Sequence, residues 1–117
     1  MTDEEIAAIE KNFRRCGDET IQAIVRFRRD NDISAVPVIV RGIIRRYLPA
    51  HQVEAFANAT EETPLGDLQI ESLTMLEIML DVQDALNITI EDAEMREFKT
   101  LGDVQQFLQK KVATPAQ

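Results

Sequence analysis

Apolar side chains recur along this chain at three- and four-residue intervals almost throughout, the spacing of one face of an α-helix. Ile6, Ile9 and Phe13 predict a first helix, with Thr2 or Asp3 able to cap it and Gly17 placed to stop it. A second begins at Asp18 or Glu19, with Ile21, Ile24 and Val25 inward and Arg26, Arg28 and Arg29 outward, and Asp30-Asn31-Asp32 interrupts it. A third runs from about Ser34 to Leu48 with Ser34 as N-cap. Pro37 then falls in the first turn, where its missing N–H does no harm, and Pro49 closes the run. Val36, Val40, Ile43, Ile44 and Tyr47 form its apolar face. The β-branched stretch AVPVIV could read as a strand, but GIIRRYL continues the helical period and no second strand exists to pair with it.

Residues 49–71 read as a long connection holding one short helical turn around Gln52 to Asn58, where Val53, Phe56 and Ala57 share a side. Helices follow from Ser72 to Leu86, from Asp92 to Glu97 and from Leu101 to Lys111, and residues 113–117 form a flexible tail. The expected fold class is all-α.

Size and composition narrow the functions available. A chain of 117 residues suits one domain with its own core, and a single cysteine, Cys16, excludes an internal disulfide and points to a reducing cytoplasm. The start, MTDEEIAAIEKNF, is acidic, unlike a secretory signal. The longest apolar run has six residues, short of the ~18 a membrane span needs. Charge is lopsided. Residues 1–48 carry nine Lys/Arg against eight Asp/Glu, a net +1, whereas residues 49–117 carry four against thirteen, a net −9. The acidic part argues against nucleic acid and for basic protein surfaces, which it would meet by electrostatic steering.

The richest local chemistry lies in LQIESLTMLEIMLD, residues 68–81. On a wheel of the 72–86 segment, Thr74, Glu77, Asp81 and Asp84 share one arc. Apolar residues cover roughly 200° or more of the rest, wider than a surface helix needs to meet its core. Leu73, Leu76 and Leu80 border the acidic stripe, so the segment is either a central helix packed on several neighbours or a docking surface. Ser72 is a good N-cap, and Thr74 with Glu77 offers a rival capping box. A hydrolytic role fails for lack of partners: there is no G-x-S-x-G elbow, His51 is the sole histidine, and Glu71 would oppose an oxyanion. A phosphate-linked group on Ser72 would face the N–H groups and positive dipole end of the helix, favourable by about 0.3–1 kcal/mol.

Residues 64–108 resemble acyl carrier proteins, small four-helix bundles that hold acyl groups as thioesters on a 4'-phosphopantetheine arm. Asp67-Leu68 and Glu71-Ser72-Leu73 stand where that family has Asp-Leu-Gly and Asp-Ser-Leu, and Glu77 takes the place of its helix glutamate. Asn87-Ile88-Thr89-Ile90 matches the following link, Asp92 to Glu97 the short acidic third helix, and Leu101, Val104, Phe107 and Leu108 the last, without a gap. Gln69 replaces the usual glycine and Glu71 the usual aspartate, which points to slow modification by a common transferase or to a dedicated one.

The resemblance implies a discrete carrier of fatty-acid, polyketide or related lipid synthesis, monomeric and without catalysis of its own. It implies that Ser72 receives the arm from a phosphopantetheinyl transferase. It further implies that Leu73, Leu76, Glu77 and Leu80, with Glu71 and Asp81, meet acyl-processing enzymes through basic docking surfaces, and that Ile78, Met79 and Val82 lie nearer the core or acyl pocket. The alternative is an unmodified interaction module on the carrier fold. Residues 34–112 form the carrier-like domain on this reading. Residues 1–33 are an extra helical hairpin that either layers against the first carrier helix or protrudes. Arg26, Arg28, Arg29, Arg41, Arg45 and Arg46 then fold back on the acidic surface, bind an acidic partner or stay solvated. No cluster of Cys, His and carboxylates suggests a metal site. Cys16 reads as a small buried residue and His51 as a surface one.

Overall fold

A computed structural model describes residues 2–68 and 70–113. The reading of Gln69 and that of the tail from Thr114 onward fall outside the described residues. The described chain is all-helical, with seven α-helices: α1 (Asp3–Asn12), α2 (Asp18–Asp30), α3 (Val36–Tyr47), α4 (Ala50–Ala57), α5 (Ser72–Leu86), α6 (Asp92–Met95) and α7 (Leu101–Ala113).

Local chemistry sets most of the boundaries. Thr2 caps α1, its Oγ1 accepting from the Glu5 N–H at 3.1 Å, and three acidic residues fill the first turn. A 3-10 turn over Arg14–Cys16 leads to Gly17 at φ 94°, a conformation L side chains rarely adopt. α2 ends on Asn31 in the left-handed region. The third helix begins differently from the sequence expectation. Asp32, not Ser34, does the capping, its carboxylate accepting from the Ser34 N–H at 3.1 Å and opening a 3-10 turn over Ile33–Ala35 that runs into α3. The Ser34 hydroxyl and Arg26 hold that carboxylate below its usual pKa, the hydroxyl most of all.

The connection after Pro49 is also more ordered than expected, because α4 occupies eight residues of it and buries Phe56. Arg41 of α3 lies over the Phe56 ring and donates to the Ala59 carbonyl at 2.8 Å, which ties the carboxyl end of α4 to α3.

α3 is the hub, touching α2, α5 and α7, and α2 also reaches α5. One continuous core results, running from Ile9 and Phe13 through Ile24, Ile39, Ile43 and Ile44 to Ile78, Met79, Leu101 and Leu108. The N-terminal hairpin is therefore part of the packing and does not protrude. The radius of gyration, 13.7 Å, agrees with the ~13 Å expected of a compact chain this long. The close approach of α2 and α3 depends on Gly42, where a Cβ would lie 1.9 Å from Oγ1 of the buried Thr20.

The arginines predicted to face outward are mostly spent within the molecule. Arg28 is half-buried and donates to the Asp84 and Ala85 carbonyls at the end of α5. Arg45 donates to the Cys16 carbonyl at 3.2 Å. Arg26 pairs with Asp32 and Arg29 with Asp30. Cys16 is buried and free, and burial raises its thiol pKa despite the nearby Arg46.

Candidate functional site: the amino terminus of α5

The approach to Ser72 is held by the start of α7. The Leu101 and Gly102 N–H groups donate to the Thr63 and Glu61 carbonyls at 3.0 and 2.8 Å, and the Leu65 N–H donates to the Lys99 carbonyl at 2.9 Å. Gly102 makes this possible, since a Cβ there would sit 2.7 Å from the Glu61 oxygen. Asp103 braces the same junction by accepting from the Lys99 and Thr100 N–H groups, which hold its carboxyl below the usual carboxylate range. A 3-10 turn over Leu65–Leu68 then buries Leu68 and leaves Asp67 exposed just before α5.

Ser72 is the first residue of α5 and is exposed. Neither capping arrangement suggested by the sequence forms. Glu71 occupies the N-cap position in extended conformation, and no side chain caps the helix. A capping box does form, but at Glu91 and Glu94 of α6. The Ser72 hydroxyl has no hydrogen-bond partner among the described residues. The first turn thus offers an accessible hydroxyl beside backbone N–H groups that no side chain satisfies, an arrangement suited to a phosphodiester.

Along α5 the wide apolar arc divides in two. Ile78, Met79, Val82, Ala85 and Leu86 are buried, and Met75 is half-buried. Leu73, Leu76 and Leu80 are 67%, 45% and 57% exposed, and they are the exposed large hydrophobic residues of the described chain. The arc is therefore core on one face and exposed apolar surface on the other. Glu71, Glu77 and Asp84 are exposed beside the leucines.

Asp81 is placed differently. It is half-buried, accepts from the Tyr47 hydroxyl at 2.6 Å and pairs with Arg46 at 3.2 Å, which joins α5 to the end of α3. Burial first, and then the Asp81 carboxylate, push the Tyr47 pKa up to about 12. Arg46 also lies over the Tyr47 ring, 5.1 Å from its centre. Sequence reasoning set Tyr47 on an apolar face and missed this bond. The one available signal was a phenol on a face of aliphatic residues, since a buried Tyr hydroxyl usually finds a partner.

This geometry is that of a helical bundle with an exposed serine at the foot of an exposed apolar ridge. Comparison with known proteins agrees. The phosphopantetheine attachment site family matches residues 39–108, and the chain belongs to that family, which includes the acyl carrier proteins. Its prosthetic group is covalently attached 4'-phosphopantetheine. The chain is 39% identical over 56 residues to an acyl carrier protein of Thermobifida fusca, covering 44% of this chain and 71% of that one. It is 39% identical over 46 residues to an acyl carrier protein of Exiguobacterium sibiricum, covering 39% of this chain and 58% of that one. It is 31% identical over 72 residues to the meromycolate extension acyl carrier protein of Mycobacterium tuberculosis, covering 62% and 63%. The chain thus spans a little over half to about seven tenths of these relatives. No solved structure matches significantly. The family match begins within α3, so α1, α2 and the first turn of α3 lie outside it. No helix among the described residues is long and apolar enough to cross a membrane, and no group of His, Cys and carboxylates there could hold a metal ion.

Proposed function

We propose that Ser72 is the attachment residue and that the chain carries acyl intermediates for fatty-acid, polyketide or related lipid synthesis. The observation that carries this reading is the exposed, uncapped serine on the first turn of α5, at the foot of the Leu73–Leu76–Leu80 ridge. Bound there, the group supplies a thiol that holds an acyl chain as a thioester. The chain's own residues do the rest. Attachment would draw on a pyrophosphate-linked donor of the arm. The Ser72 oxygen would form the new P–O bond as the donor's P–O–P link breaks and its outer phosphate leaves with the rest of the donor, the hydroxyl proton passing to the transferase. The free N–H groups of the first turn would stabilise the phosphodiester's negative charge.

Leu73, Leu76 and Leu80 give a transferase or an acyl-processing enzyme an apolar seat. Glu71 and Glu77 beside them steer basic surfaces toward it. Asp81, tied to Arg46 and Tyr47, fixes the edge of that seat. Contacts of this kind are fast to form and weakened by salt, which suits a carrier that must leave one enzyme for the next. The free, buried Cys16 fits a reducing cytoplasm. The names of the relatives support lipid synthesis as the pathway class.

Co-expression with a phosphopantetheinyl transferase, followed by intact-mass measurement, tests the assignment. The expected result is a gain of one 4'-phosphopantetheine that is absent from Ser72→Ala. An unmodified wild-type chain after trial with several active transferases would favour the plain interaction module, and a gain that survives in Ser72→Ala would move the site elsewhere.

A further inference from the structure

Most cations of the N-terminal half are engaged with carboxylates or carbonyls, but three are not. Lys11, Arg14 and Arg15, at the end of α1 and in the turn after it, are exposed, and none forms an ion pair among the described residues. With Asn12 and Arg46 they line a shallow groove of about 460 Å³. Arg46 is the link that gives this groove its place: it lies in the groove wall and bonds to Asp81 of α5 at 3.2 Å. Asp81 is one helical turn from Glu77 and adjoins the exposed Leu80. Through Arg46, therefore, the cationic groove is joined to Asp81 of α5, in a chain whose net charge is −8.

We infer that Lys11, Arg14 and Arg15 form the second half of a two-signed docking face, one that receives an acidic protein segment lying beside the basic surface that meets α5. The sign pattern selects the partner. A continuous polyanion, whether a phosphate backbone or an anionic bilayer, that covered the cations would also press on Glu77 and the other carboxylates of α5 and be repelled. Only a surface carrying both signs in matching order satisfies both halves, and a uniformly basic one is rejected at the cationic half. The cations belong to the hairpin outside the family match, so they would restrict this carrier to enzymes with the complementary acidic patch. That the partner is an acyl-processing enzyme rests on the proposed function, whereas the cationic site does not.

The test uses the full purified chain at low salt, titrated with a hexaglutamate peptide and followed by amide NMR and calorimetry. Saturable binding is expected, with shifts centred on Lys11, Arg14, Arg15 and Arg46, weakened about ten-fold in K11Q/R14Q/R15Q as three exposed charge contacts would imply. All three side chains are exposed, so the variant should melt as the parent does, and R14Q alone serves as a milder check with a smaller loss. Absence of binding, equal binding by the triple variant, or shifts centred elsewhere would overturn the inference. So would co-sedimentation with phosphatidylglycerol vesicles that depends on the same three residues. Ser72→Ala should bind the peptide unchanged, so failure of the attachment reading and failure of the cationic site are separately visible.

Discussion

The two ends of α5 are built on opposite principles. At the carboxyl end, Val82, Ala85 and Leu86 are buried, Asn87 closes the helix in the left-handed conformation, and Arg28 of the hairpin ties down the Asp84 and Ala85 carbonyls. At the amino end, Ser72 is exposed, no side chain caps the helix, and Leu73 and Leu76 face solvent. Packing is concentrated at the carboxyl end and sparse at the amino end, where the proposed attachment and docking need access. A single helix can be core on one side and exposed apolar surface on the other because its two faces, and its two ends, meet different surroundings.

Substitutions along α5 and its supports sharpen that contrast. Ile78 is completely buried, so Ile78→Ala should lower unfolding stability by about 2–5 kcal/mol in urea titration. A loss well below that range would mean that the middle of α5 is not an anchor. Arg28→Ala removes two charge-assisted bonds at the partly exposed carboxyl end and should cost about 1–2 kcal/mol. Hydrogen exchange should quicken first in the last turn of α5, and exchange that instead quickened at Ser72 would contradict the division.

Tyr47→Phe, at the junction of the two halves, should cost about 1 kcal/mol. Its sign with pH is definite. The folded pKa of Tyr47 is raised to about 12, so its contribution is complete below the unfolded phenol value of ~10 and fades as pH rises through about 12. Thermal melts of the wild type should fall with alkali over that window more steeply than those of the variant, and parallel curves would remove the Tyr47–Asp81 bond from the account. Leu80→Ala should change stability least, within ~0.5 kcal/mol, because the side chain is 57% exposed, while slowing enzymatic loading of the carrier. A large loss of stability there would show that the ridge is core and not docking surface.

How much could be read in advance depended on how local the cause was. The bounds of α5 were legible as about Ser72 to Leu86, because its apolar periodicity is a short-range property, although neither cap suggested at its start forms. The opening of α3 was assigned to Ser34, since a serine and an aspartate two residues apart are both good caps and only the folded chain chooses between them. α4 was under-read for a different reason. It lacks a capping side chain, and its apolar signal is little more than Val53 and Phe56, so its order comes from α3, through Arg41 on Phe56 and on the Ala59 carbonyl. Arg28 read as outward with its partner left open, because nothing near it in sequence shows that its guanidinium reaches carbonyls 56 and 57 positions away.

The sequence by itself determined the helical class, the placing of a serine at the head of α5 and the two arcs of that helix, because helical periodicity and neighbouring residues are short-range properties. Only the tertiary structure decided which part of the apolar arc is buried, that Asp81 is held by Tyr47 and Arg46, and that Lys11, Arg14 and Arg15 share a groove with Arg46. Those outcomes depend on which helix packs against which, and that arrangement follows from burying apolar surface across the whole chain at once.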